Sequence, residues 1–293
     1  WRAIVRGAER IADSWREWDL GAVRFLNHGV HAAAGAFCGI VMIGALAGEA
    51  QILAACLVAV AAIAGAGLWA QFVEGSPALL RPYGFYGGLL GGLVAIALVP
   101  LIGADAWLVF AAYAVAAPVV QAFGRLRCLV QGCCHGRAVE GDGIPGIRYT
   151  HPRSRVTRLS ELAGASLHPT QVHSIAWSLF TLALLARLWV AEASLSFIAG
   201  AFFVLNGLGR FVEEHYRGEP QTRILAGLRL YQWLALASVV FGAVLTTIAT
   251  RSAPPLAVPA ASAWVAAAVV GAITYVAYGV DFPRWNVRFA RLV

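Results

Sequence analysis

The chain has 293 residues, of which 60% are hydrophobic and 13% charged, with a mean hydropathy of +0.71. Soluble domains carry about 25% charged residues, so this composition excludes a water-soluble globular protein and predicts an integral membrane protein. The formal charge of +7 comes from 22 arginines against 15 acids, with no lysine; these arginines flank apolar stretches instead of forming a soluble basic face, and a nucleic-acid partner is not expected.

In residues 1–27, Trp1, Ile4, Val5, Ala8, Ile11, Ala12, Trp15 and Trp18 recur at three- and four-residue steps, with Arg6, Arg10, Asp13 and Glu17 between them. That period predicts an amphipathic helix lying on the membrane surface. Eight windows without Asp, Glu, Lys or Arg follow, at 29–48, 50–73, 82–104, 106–124, 169–186, 193–209, 230–250 and 252–280. Each is near the roughly 20 residues that cross a hydrocarbon core. They are rich in Ala, Leu, Val and Gly without the alternation of a barrel strand. The expected fold class is all-α, a polytopic membrane helical bundle. The last window has three prolines before Ala260 and is expected to begin with a non-helical stretch. The tail 282–293 reads as an interfacial anchor of aromatic residues and arginines.

With eight spans, both tails and the loops after the second, fourth and sixth spans share one side. That side holds 20 of the 22 arginines, and only Arg187 and Arg251 lie opposite. The positive-inside rule places it in the cytoplasm.

Chemistry concentrates in 124–137, GRLRCLVQGCCHGR, at the end of the fourth span. Guanidinium groups there need a phosphate, carboxylate or carbonyl opposite them, and in a membrane the economical partner is a phospholipid headgroup. Three more polar clusters mark the same side: PYGFYGGLLGG at 82–92, HPTQVHS at 168–174 and NGLGRFVEEHYRGEP at 206–220. In the last, a continuing helix aims Arg210, Glu214 and Arg217 at one face, leaving net positive charge for an anion; a solvated ion-pair cluster at a helix end is the alternative. Cys133 and Cys134 are adjacent, which disfavours a disulfide between them. Arginines around them favour a thiolate, so they are read either as a transient nucleophile or as small fillers of a tight turn. Cys128, Cys133, Cys134 and His135 offer metal-ligand types, but the C-x4-C-C-H spacing is not a usual zinc pattern and adjacent cysteines rarely reach one centre. No metal and no cofactor are expected.

These motifs resemble the prolipoprotein diacylglyceryl transferase family. Its signature Gly-Arg-x-Gly-Asn-Phe, continuing to Asn-Gly-Glu and closing in Gly-Arg, is similar to Gly124, Arg125, Gly132, Gly136 and Arg137. Its His-Pro-Ser-Gln-Leu-Tyr motif looks like His168, Pro169, Thr170, Gln171 and Val172. Its Arg-Phe-x-x-Glu segment, followed by an arginine, resembles Arg210, Phe211, Glu214 and Arg217. Its Phe-His-Gly-Gly-Leu motif resembles Phe85 to Leu89, and a late Gly-Gln pair is matched at Gln232. Tyr86, Cys128, Cys133 and Asn206 stand where the family has histidine, asparagine, glutamate and tyrosine, and His28 corresponds to its first-span tyrosine.

The resemblance implies seven family-like transmembrane helices in a transferase-like domain at 28–250, with 251–293 supplying one additional C-terminal helix and a basic tail. It implies a bacterial cytoplasmic-membrane enzyme that moves a diacylglyceryl group from phosphatidylglycerol, or another anionic phospholipid, to a lipoprotein cysteine thiol, releasing glycerol phosphate. The changed motif positions leave the acceptor open. A cytoplasm-facing enzyme with another acceptor, a lipid-binding or lipid-translocating protein without catalysis, and a thiol oxidoreductase are the other readings. Implied catalytic residues are Arg125 and Arg210 as clamps, Glu214 orienting Arg210, His168 as base with His135 and His28 as substitutes, and Cys133 and Cys134. Implied substrate contacts are Tyr86, Gly87, Gly88, Gln131, Gly136, Arg137, Gln171, Asn206, Arg217, Gln232 and His28. The family's signature loop faces the extracytoplasmic side, opposite to the arginine count.

Overall fold

A computed structural model describes residues 1–73, 83–140, 146–218 and 223–282, and the backbone of 287–288. The anchor expected of the tail therefore lies largely outside the described residues, as do Pro82, Glu219 and Pro220 of two motifs. Every charge-free window contains a helix. After α1 (Arg2–Ala12) and a hairpin of β1 (Glu17–Leu20) and β2 (Val23–Leu26) come α2 (Gly29–Ala47), α3 (Ile52–Phe72), α4 (Phe85–Leu98) and α5 (Ala106–Gln131). The short α6 (Arg155–Leu159) lies in a loop before α7 (Thr170–Val190) and α8 (Leu195–Tyr216). A two-residue hairpin, β3 (Ile224–Leu225) and β4 (Leu228–Arg229), leads into α9 (Leu230–Thr246), followed by α10 (Ala261–Gly279), β5 (Val280–Phe282) and β6 (Val287–Arg288). Seven of these helices are long and apolar enough to cross a membrane, and α9 is an apolar helix slightly below that length. The chain is thus an all-α multi-pass membrane bundle, with short strands confined to the ends of helices.

Helix α5 is the hub. It touches α2, α7 and α8, while α3 pairs with α4, α8 with α9 and α2 with α10. Without a hydrophobic force between helices in lipid, such pairs rely on small residues that let backbones approach. At the α3–α4 crossing, a β-carbon on Gly87 would collide with the Trp69 side chain and the Gly65 carbonyl oxygen. Gly87 is therefore a packing residue against α3, whereas Gly88, one position on, faces the interior cavity.

Two boundaries differ from expectation. The amphipathic period runs to Trp18, yet α1 stops at Ala12. The Ser14 hydroxyl donates to the Ile11 carbonyl, and Asn27 donates to the Ser14 carbonyl and accepts from the Arg16 amide, folding the following residues into the hairpin, where Gly21 turns at φ +65°. The apolar residues of this segment divide: Val5, Ala8 and Ala12 are buried against Leu129, Ile147, Tyr149 and Leu167, while Trp1 and Ile4 remain exposed. The second difference is α5, which continues as helix through Arg125, Arg127 and Cys128 to Gln131 instead of yielding to a loop near Gly124. The last window does begin non-helically: through Ser252–Ala260 the chain crosses the ends of neighbouring helices, with the Ala253 amide donating to Ala193 and the Ala257 amide to Ala45.

The strand order β1-β2-β5-β6 joins the first and last segments of the described chain, with Arg24 and Phe25 registered against Asp281 and Val280.

Because the α3–α4 crossing has no space at Gly87, Gly87→Ala should cost about 1–3 kcal/mol. The expected readout is a lower unfolding midpoint in detergent.

Candidate functional site

Helix α5 carries the site because residues at three- and four-residue steps along its last turns, Gln121, Arg125, Cys128 and Gln131, share a face. That face lines a cavity of about 470 Å³. Its long apolar part is walled by side chains such as Ile40, Ile43, Val58, Ile63, Leu93 and Ile96 from α2, α3 and α4. Its other end is cationic: Arg125, Arg127, Arg155, Arg210 and Arg217 all contribute to the lining, with Cys128, Cys133 and Cys134 beside them.

Buried arginines need counter-charges, and two adjacent glutamates on α8 divide that work. Glu213 accepts from Arg125 at 2.7 Å through one oxygen and from Arg210 at 2.8 Å through the other, and the Ser174 hydroxyl adds a third donor at 2.6 Å. Glu214 instead accepts from Arg217 at 3.2 Å and lies 3.5 Å from Arg229. The expected Glu214–Arg210 pairing is therefore corrected. Arg210 pairs with the carboxylate three residues on, and Glu214, about 100° further round the helix, turns to Arg217 and Arg229. Arg210 also lies over the Phe85 ring, 5.0 Å from its centroid.

Arg127 is different. It is buried beside the Tyr278 ring, its Nε and Nη2 have no hydrogen-bond partner among the described residues, and no carboxylate faces it there.

The cysteines sit where the chain leaves α5. Gly132 ends the helix at φ +70°, and Cys134 adopts φ +58°, a left-handed conformation that is strained for a residue with a β-carbon. The double turn returns Cys133 and Cys134 toward Cys128, and the three sulfurs lie within 4.8 Å of one another. The turn is held from α7 and its approach: Gln171 donates to the Cys133 carbonyl at 2.9 Å and to the Tyr149 hydroxyl, while the Thr170 hydroxyl donates to the Cys134 carbonyl at 2.8 Å. The Cys133 thiol donates to the Gln131 side-chain oxygen at 3.2 Å. Thiol donors from Cys128 and Cys133, with Arg217 and Arg125 nearby, hold the Cys134 thiol well below its ordinary range.

Of the residues expected at the site, Gly88, Arg125, Gln131, Cys133, Cys134, Arg210 and Arg217 line the cavity. Tyr86 lies behind its wall, donating to the Tyr231 carbonyl at 3.1 Å. The others lie outside the cavity lining. His135 is buried with Nδ1 3.0 Å from the Gly136 carbonyl oxygen, and a β-carbon on Gly136 would collide with His168. His168 packs on Tyr216, its pKa lowered by partial burial and Arg137, while the exposed Arg137 lies over the Tyr216 ring. Gln232 accepts from the Arg229 amide as part of the α9 cap, and Asn206 is buried on α8. His28 is fully buried against Trp15, 4.9 Å between ring centroids, with neither ring nitrogen hydrogen-bonded among the described residues. Arg155 and Tyr231, which line the cavity, and Glu213, which pairs with two of its arginines, were not singled out by the sequence reading. Continuing the helical period past Gly124, and testing the i,i+3 as well as the i,i+4 partner of Arg210, would have exposed part of this set.

The family model for prolipoprotein diacylglyceryl transferase matches residues 18–248. A phosphatidylglycerol–prolipoprotein diacylglyceryl transferase of Clostridium tetani is 26% identical over 176 residues, covering 57% of this chain and 66% of the relative. A second, numbered 2, from Clostridium perfringens is 28% identical over 163 residues, covering 52% and 59%. The enzyme so named from Methylibium petroleiphilum is 31% identical over 176 residues, covering 58% and 62%. The chain thus spans about 60 to 66% of the length of the curated relatives it matches.

Two predictions follow from the buried groups. Glu213→Ala leaves Arg125 and Arg210 buried without their shared counter-charge and should cost about 3–5 kcal/mol in a detergent unfolding titration. Burial, reinforced by Arg127 and His31, holds His28 well below the ordinary imidazole value of 6.5. Below that pH the unfolded chain binds a proton that the folded chain refuses, so stability falls as pH drops through about 6.5 and is unaffected above it. His28→Phe should flatten that part of the pH–stability curve.

Proposed function

The chain belongs to the prolipoprotein diacylglyceryl transferase family, and from that premise we propose that it moves a diacylglyceryl group from phosphatidylglycerol to the thiol of a lipoprotein cysteine, releasing glycerol phosphate. It is a multi-pass protein of the cytoplasmic membrane. The observation that carries the substrate assignment is the cavity itself, apolar along its length and lined by five arginines at one end. That division matches an anionic phospholipid, with acyl chains among α2, α3 and α4 and the phosphate among the guanidiniums.

In this reading Glu213 aims Arg125 and Arg210, whose remaining donors stabilise charge on the departing phosphate as the bond between glycerol carbon and phosphate oxygen breaks. Arg127, whose Nε and Nη2 have no partner among the described residues, supplies a further phosphate contact. Arginine suits both tasks because its planar fork stays charged throughout. Neither His168 nor His135 lines the cavity.

Purified protein incubated with radiolabelled phosphatidylglycerol and a lipobox peptide should yield labelled peptide and glycerol phosphate in equal amounts. Arg125→Ala should lower the rate at least roughly 100-fold. Arg127→Ala should raise the lipid KM about 10-fold, the worth of a charge-assisted hydrogen bond. Glycerol phosphate without labelled peptide would overturn the thiol acceptor, and full activity in Arg125→Ala would overturn the clamp.

A further inference from the structure

The turn after α5 spends strain to bring three thiols together. Adjacent cysteines in extended chain point to opposite sides, yet here the left-handed Gly132 and Cys134 fold both back onto Cys128, leaving the three sulfurs within 4.8 Å of one another. A non-glycine residue in this conformation persists where its surroundings over-determine it, and such outliers cluster at functional sites. The surroundings do so here: the carbonyls of Cys133 and Cys134 are held by Gln171 and Thr170, two side chains from the start of α7. The turn is a fixed scaffold, and what it presents to the cavity is sulfur.

Three thiolates around a tetrahedral metal at about 2.3 Å per bond stand roughly 3.8 Å apart, within about 1 Å of the observed separations. Soft thiolate sets select d10 cations, zinc among them. Three thiolates and a divalent ion carry one net negative charge, and Arg125 and Arg217 line the same wall to offset it. No histidine or carboxylate joins the cluster among the described residues; His135 is turned to the Gly136 carbonyl instead. Three protein ligands with one position left over is the pattern of a reactive metal, whereas structural zinc sites are closed by a fourth ligand.

We propose that Cys128, Cys133 and Cys134 bind one thiophilic d10 divalent cation of the zinc class, whose fourth coordination position faces the arginine-lined cavity and takes the acceptor's thiol. The acceptor half of this proposal rests on the transferase reading above; the metal half does not. Coordination deprotonates the acceptor thiol, its proton passing to solvent. The bound thiolate then attacks the glycerol carbon that bears the phosphate. The C–S bond forms with the sulfur electron pair, the C–O bond breaks, and glycerol phosphate departs with that pair beside Arg125 and Arg210. No oxidant or reductant takes part. The metal would thereby replace a protein base at a site whose cavity wall contains no histidine.

The test uses the full chain in detergent, reduced, stripped with chelator and titrated anaerobically with cadmium chloride. The expected result is one cadmium per chain with an ultraviolet sulfur-to-cadmium charge-transfer band. Cys128→Ser should reduce the band by about a third and weaken binding about 10-fold or more; Cys56→Ser, in α3, should leave it unchanged. If Cys128→Ser fails to fold, judged by its elution and melting without metal, Cys133→Ser is read in its place. Adding a lipobox peptide should raise the band by about a further third, and its Cys-to-Ser counterpart should add nothing. Absence of the band, or a band untouched by both serine variants, overturns the metal site. A full band that the peptide leaves unchanged overturns the acceptor position alone, whereas peptide binding without labelled product in the transfer assay overturns the transferase reading and leaves the metal site standing.

Discussion

The constraint on which the rest of this structure depends is the cost of holding guanidinium groups inside an apolar bundle. Glu213 meets it by accepting from Arg125 on α5, Arg210 on its own helix and Ser174 on α7, so one carboxylate with no unused oxygen ties three helices together at one level. Removing any donor would leave the carboxylate short, and removing the carboxylate would leave two cations buried. Beyond that polar level the cavity is walled mainly by alanine, glycine and branched aliphatic residues of α2, α3, α4 and α5, and the space between them is apolar. A polar lock at one end and a soft interior beyond it give the cavity its two-part character.

The fold was legible because it depends on charge-free length, and every window of that kind contains a helix. What was less legible depends on local competition. Trp15 and Trp18 keep the helical period of the first segment, but Asn27 and Ser14 offer the backbone an alternative set of hydrogen bonds and the chain takes the hairpin. At the end of α5 the error ran the other way: Arg125 and Arg127 interrupt a hydropathy window, yet an arginine is a good helix former, and the helix stops only where Gly132 can adopt a positive φ. The choice between Glu213 and Glu214 could not be made from spacing, since both distances from Arg210 suit a helix face. Arg125, far away in sequence, decides it by approaching Glu213.

Several residues of the polar motifs make contacts that shape the backbone. Gln171, Thr170, Gly136 and Gln232 sit in polar motifs at span ends, and the structure uses them to hold a carbonyl, to allow close backbone approach or to cap a helix. The reason is general: chain leaving a membrane helix must satisfy backbone groups that regular structure no longer pairs. A motif at such a place therefore mixes residues that touch a substrate with residues that make the turn possible, and sequence spacing alone does not sort them.

The opposed orientation arguments can be assigned to different parts of the chain. The positive-inside rule counts arginines, and many on the rich side are engaged by other residues of the chain: Arg125, Arg210, Arg217 and Arg229 with Glu213 and Glu214, Arg24 with Asp19, Arg153 with Glu17, and Arg127 and Arg137 over tyrosine rings. Such residues answer to the site and the fold, not to the membrane potential or the translocation machinery. Of the remainder, a large share lies in residues 1–17 and 249–293, which the family match does not cover. Structurally, however, these additions are not independent of the site. The buried face of α1 packs against Leu129 of α5, β2 pairs with β5, and Arg127 lies on Tyr278 at the end of α10. The amino-terminal segment, the end of α10 and the arginine end of the cavity therefore belong to one face of the bundle. Locating either of those segments relative to the membrane locates the site, and an acceptor from the opposite compartment would have to cross the bilayer to reach it.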